Sequence, residues 1–129
     1  MAKDIAHQNE ADQPPYDICE RTFQLALRVV RLCMRFEAKW GTAGVLAKQL
    51  LRSGSSVGAN IEEGQAAQSR ADFVSKYSIA RKEAREANYW LRLISASEIS
   101  NDAEIPALIG ETREIIKILT TIIKNAKNE

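Results

Sequence analysis

The chain has 129 residues, 45% apolar and 27% charged, the size and composition of one globular domain that can bury a core without disulfide or metal staples. Its 6 Gly, 3 Pro and 2 Cys exclude collagen-like, disulfide-scaffold and turn-rich β architectures. A formal net charge of +1 excludes, at face value, a strongly basic nucleic-acid binder and a highly acidic protein.

Residues 1–15 read as a disordered arm, polar, mixed in charge and closed by Pro14-Pro15. Met1 to His7 carries no apolar run of the kind a secretory signal needs. No segment approaches the ~20 apolar residues of a membrane span, so no membrane partner is expected. Four long segments of helical period then fill residues 16–127. The first runs from about Asp17 to Trp40 and stops at Gly41, and the second from about Ala43 to Gly64. Ser69-Arg70-Ala71-Asp72 opens the third, to about Ser97, as a capping box, and Asn101-Asp102-Ala103-Glu104 opens the fourth, to about Lys127, in the same way. Pro106 falls in the first turns of that helix, where a missing N–H is tolerated. Four helices with short connections predict an all-α, up-down-up-down four-helix bundle. Cys19 and Cys33 lie about 21 Å apart along the first helix, beyond disulfide reach. Reduced thiols fit a cytoplasmic protein.

Helix 1 carries two apolar seams. Ile18, Leu25, Val29, Leu32 and Phe36 form one; Phe23, Leu27, Val30 and Met34 form the other, about 140° round. A helix on the rim of a bundle needs little more than about 100° of apolar arc. The second seam is therefore expected to face another subunit, the alternative being that helices 2 and 4 straddle helix 1. Between the seams runs a stripe without acids: Arg21, Gln24, Arg28, Arg31, Arg35 and Lys39. Arginine suits bidentate phosphate contact, so the stripe is a candidate surface for RNA or DNA, against the reading of a merely solvated face. Arg81, Arg85 and Arg92 share a face of helix 3, as do Arg113, Lys117 and Lys124 on helix 4.

Helix 3 buries Phe73, Tyr77, Ala80, Ala84, Ala87, Leu91 and Ile94, and its alanines admit a close neighbour. Ser53, Gly54, Val57, Gly58 and Ile61 of helix 2 supply the matching small surface. Gly54-x-x-x-Gly58 is read as close packing, since neither a following Lys-Ser/Thr nor a preceding strand makes it a phosphate loop. Asn60 and Glu63 are expected to form a buried polar pair that sets helix register. Helix 4 offers Ile105, Leu108, Ile115, Ile116, Leu119, Ile122 and Ile123 to the core.

The run from Arg52 to Gly64, reading Arg-Ser, small residues, an aliphatic, then Ala-Asn-Ile and Glu-Gly, resembles the signature of a bacterial family of four-helix bundles named for reading frames in intervening sequences of 23S rRNA genes. Phe73 to Ala84 and Tyr89 to Leu93 resemble its third helix, and the likeness spans about residues 16–126. It implies a cytoplasmic, non-enzymatic homopentamer. Relatives include the accessory protein of diversity-generating retroelements, a basic pentameric barrel that binds nucleic acid and a reverse transcriptase. Arg52, Ser53, Asn60, Glu63 and Gly64 carry over as structural motif residues. Many relatives have Pro at the position of Gly58 and Gly-Ser at Lys82-Glu83, which points to a different branch.

With one histidine, His7, no Glu-x-x-His pair, nucleophile–His constellation or metal cluster can be assembled, so neither catalysis nor a cofactor or metal is expected. The partners expected are further copies of the chain, RNA or DNA, and a partner protein; a purely structural scaffold without a nucleic-acid ligand is the alternative. The net charge conceals an uneven distribution: −4 over residues 1–20, +7 over 21–92 and −2 over 93–129.

Overall fold

The computed structural model describes residues 14–36 and 41–128. Four α-helices pack in chain order as a bundle: α1 Pro14–Arg35, α2 Gly41–Gln65, α3 Arg70–Ala96 and α4 Glu104–Lys127. The expected fold class is present, and among the described residues there is no strand.

The helix limits follow local chemistry. Pro14 and Pro15 open α1 rather than closing the arm. Proline's fixed φ and missing N–H suit a first helical turn. Residues 1–13 of the expected arm, and Lys39 and Trp40 at the expected end of helix 1, lie outside the described residues. Gly41, with φ at +74°, starts α2. Ser69 caps α3 as predicted, its Oγ accepting the Asp72 N–H at 3.0 Å. The fourth helix begins later than its sequence pattern suggests. Asp102, not Asn101, accepts the Glu104 N–H, at 2.9 Å, and α4 starts at Glu104 itself. Helix α3 ends in a Schellman turn: Glu98 takes φ at +63°, its N–H reaches the Ser95 carbonyl, and Ile99 N–H reaches Ile94.

The core is the one the periodicity predicts. Ile18, Leu25, Val29 and Leu32 of α1 are buried, as are Leu50, Val57 and Ile61 of α2. Tyr77 through Ile94 of the α3 stripe join them, with Leu108, Ile115 and Leu119 of α4. Phe36, Phe73, Ile116 and Ile122 are half-buried against this cluster. Gly54 and Gly58 of α2, matched by size to the alanines of α3, face α1 instead. They admit α1: a Cβ at Gly58 would lie 3.1 Å from the Thr22 carbonyl oxygen, and one at Gly54 would lie 3.0 Å from Val29. Helices α1 and α4 approach each other least closely of the neighbouring pairs.

Candidate assembly and polyanion surfaces

The arginines of the α1 stripe are held by acids of their own chain. Arg21 makes a two-pronged ion pair with Glu111 at 2.7 and 2.9 Å. Arg28 does so with Glu104 at 2.8 and 2.9 Å, and Arg35 with Asp102 at 2.7 and 3.1 Å. The arginines recur every seven residues, two turns of helix, so they rise in one line. The acids descend the antiparallel α4 and its entry to meet them. Guanidinium forks match carboxylates in this way. The pairing bridges the seam where the two helices are farthest apart. It also holds the Glu104 carboxyl below its usual range, chiefly through the Arg28 hydrogen bond. The Asp102 carboxyl is lowered by its bond from Arg35 and then by the Glu104 N–H. Arg21, Arg28 and Arg35 of the candidate phosphate stripe thus have their charge answered inside the bundle. Arg31 stays exposed, and Lys39 lies outside the described residues. Glu104 and Glu111, seven residues apart, carried the signal that reading each helix alone missed.

The second α1 seam is open to solvent. Phe23 is 55% exposed and Met34 77%; Val30 is exposed and Leu27 half-buried. All four lie within about 60° on one side of α1. Beside Phe23 the surface falls into a groove of 460 Å³ walled by Ala26 of α1 and by Ser55, Gly58, Ala59 and Glu62 of α2. Leu51 of α2 is also exposed. Bulky side chains on one helix thus adjoin a trough of small ones on the next.

The motif residues of α2 have structural partners. Exposed Arg52 pairs with Glu83 at 3.2 Å and, at close range, with Glu86, whose carboxyl is held down first by the Trp90 indole N–H and then by Arg52. Buried Ser53 donates to the Gln49 carbonyl at 2.9 Å. Gly64 is buried where a Cβ would come within 2.7 Å of the Tyr77 ring. The expected Asn60–Glu63 buried pair is absent: half-buried Asn60 donates to the Ser56 carbonyl of its own helix, and exposed Glu63 pairs with Lys76 of α3 at 3.0 Å. The buried polar link lies elsewhere. Asn88 donates to the Thr112 hydroxyl at 3.0 Å, and Arg92 donates to the Asn88 carbonyl oxygen at 2.8 Å. Both Asn88 and Thr112 fall on core-period positions of their helices, and that misfit with their apolar neighbours was the available clue.

Among the described residues no three His, Cys, Asp or Glu side chains gather as metal ligands. Burial pushes the Cys33 thiol up to about 11 and desolvation raises Cys19 as well, so neither is a ready nucleophile. No described helix is long and apolar enough to cross a membrane.

Residues 15–121 match the family model described as 23S rRNA-intervening sequence protein. Among solved structures, the chain is similar to a protein of unknown function from the S23 ribosomal protein family of Bacteroides thetaiotaomicron, with 40% identity and a TM-score of 0.79 over 86% of this chain and 98% of that one. No curated protein matches the sequence.

Proposed function

The chain belongs to the 23S rRNA-intervening sequence protein family, and from that premise we propose that it is a non-enzymatic scaffold that assembles with copies of itself through the α1–α2 face. The observation that carries this reading is the open apolar seam of Phe23, Val30 and Met34 beside a small-residue trough. Scattered exposed apolar residues are ordinary. A line of them that continues into a concave apolar surface is the mark of an interface. Knob and trough lie side by side on one face, so the knob of one copy can enter the trough of the next. A contact of that head-to-tail kind closes into a ring when its rotation allows. The family resemblance implies five subunits.

Light scattering on the full chain at tens of micromolar tests the reading. A multiple of the 14.4 kDa chain mass is expected, and Phe23→Glu with Met34→Glu should reduce it to one copy. Both residues are exposed in the single chain, so helical circular dichroism should not change. A monomeric wild type refutes the proposal, as does a double variant that keeps the wild-type mass.

A further inference from the structure

Acids and bases on α3 and α4 separate by flank. The acids lean outward: Glu83 and Glu86 to Arg52 of α2, Glu104 and Glu111 to the arginines of α1. Seven of the bases lean toward the seam the two helices share, while Lys76 of α3 turns instead to Glu63 of α2. Arg81 donates to Thr120 of α4 at 3.3 Å, and Asn88 to Thr112 at 3.0 Å, which sets an antiparallel register. On this register Arg85 stands at the height between Arg113 and Lys117. Arg81, Arg85 and Arg92 fall within about 40° on α3; Arg113, Lys117, Lys124 and Lys127 fall within about 80° on α4. Arg81, Thr120, Lys124 and Lys127 wall a groove of 260 Å³ at one end. Lys117 has Glu114 at 3.6 Å, and the other six bases make no ion pair with a described carboxylate.

Like charges ranged along one seam repel and cost stability unless a counter-charge settles among them. At the other end of the seam Tyr89 is 48% exposed, with the Arg92 guanidinium 5.8 Å from its ring centre. We infer that the α3–α4 seam binds a single-stranded nucleic acid, its phosphates along the bases and an unpaired base stacked on Tyr89. Arginine forks grip phosphate oxygens two at a time. An exposed aromatic ring beside a basic track is the stacking platform of single-strand binders, and an acidic peptide has no comparable use for it. The seam lies across the bundle from the α1–α2 face, so self-assembly leaves it open and repeats it in every copy. Binding does not depend on assembly: a monomeric Phe23→Glu, Met34→Glu variant keeps a complete seam and loses only the gain from multivalency.

Fluorescence anisotropy of labelled 20-nucleotide oligouridylate and oligothymidylate, titrated with the full chain from 50 to 300 mM salt, is the test. Affinity should fall with salt by about 0.7 log units per log unit for each phosphate contacted, hence a slope of about −3 to −4 for four to six contacts. Arg85→Glu with Lys124→Glu should weaken binding at least tenfold and flatten the slope. Tyr89→Ala should weaken it about fivefold or more at an unchanged slope. Arg31→Glu, on α1, should leave it within twofold. No anisotropy change at 50 mM salt overturns the inference, as does a seam variant that binds like wild type. Polyglutamate or phosphatidylserine vesicles binding as tightly at equal charge, with Tyr89→Ala indifferent, would reassign the seam to an acidic protein or a lipid surface and equally overturn it.

Discussion

Replacing Arg28 by Gln separates the two roles an arginine on the α1 stripe can have. In the folded chain its guanidinium bonds both Glu104 oxygens, at 2.8 and 2.9 Å, with the two side chains 33% and 26% exposed. Solvent-facing pairs contribute 0.2–1 kcal/mol, and two-pronged, partly covered ones stand at the upper end, so a coupling of about 1 kcal/mol is expected. In a domain of this size that is about 4 °C in Tm. The assay is a double-mutant cycle of Arg28→Gln and Glu104→Gln, followed by thermal and urea unfolding. The pH dependence fixes the sign. Glu104 is held below its unfolded range by Arg28. Its contribution is therefore complete above the ordinary glutamate value of about 4.3, and is lost as pH falls through the lower folded value. The stability gap between wild type and Glu104→Gln should be flat from pH 6 to 8 and close in acid. A coupling near zero at pH 7, or a gap that persists unchanged in acid, would refute the ladder. If Arg28 served phosphate instead, the substitution would weaken oligonucleotide binding and leave Tm in place.

Two backbone positions give sharper signs. Alanine at Gly58 gains about 1 kcal/mol of helix propensity, but its Cβ meets the Thr22 carbonyl oxygen at 3.1 Å, and backbone cannot yield as a side chain can. Crowding of that kind costs about 1–3 kcal/mol, so Gly58→Ala should lower Tm, while Gly110→Ala, with nothing within 4 Å of its Cβ, should raise it by several degrees. Glu98→Gly should raise stability by about 0.5–1 kcal/mol in urea unfolding, because Glu98 holds φ at +63° in the Schellman turn and glycine enters that region at no steric cost.

Much of the bundle was legible because burial here is a matter of period. Tyr77, Ala80, Ala84, Ala87, Leu91 and Ile94 lie on one helical stripe, and all are buried. The exposed second seam was legible for the same reason: a rim helix with two apolar sides has one to spare. What a one-dimensional reading lost was partnership between helices. Arg21, Arg28 and Arg35 looked free because no acid shares their face of α1. Their partners come from α4 and its entry, 67 to 90 positions along the chain. Gly54 and Gly58 were matched by size to the alanines of α3, yet the same small surface serves α1 equally well, and size alone carries no direction. Asn60 and Glu63 suggested a polar register pair because they lie one turn apart. Asn88 and Thr112 hold that place because each interrupts its own core stripe, and a buried amide must find a partner.

The net charge of +1 is a cancellation that acts in space only in part. Where α4 faces α1, acid meets base at under 3 Å, and the field of the stripe is short-circuited within the bundle. Where α4 faces α3, base meets base, and nothing described in the chain answers it except Glu114 beside Lys117. The same helix therefore discharges one seam and charges the other. A polyanion approaching the bundle encounters the second, since opposed charges a few ångströms apart leave little field beyond a Debye length. A sequence split by segment places the excess at residues 21–92 and counts the C-terminal part as acidic. The folded chain reverses that assignment for α4: Glu104 and Glu111 are engaged by α1, Glu114 sits beside Lys117, and Arg113, Lys124 and Lys127 are left to act outward. Were the chain to assemble through α1 and α2, each copy would turn its apolar side to its neighbour and its charged seam to solvent. Salt should then stabilise the fold slightly by screening that seam even as it weakens the ladder, so the two effects are read apart by making Arg28→Gln and Arg85→Glu separately and comparing how each variant's Tm changes with salt.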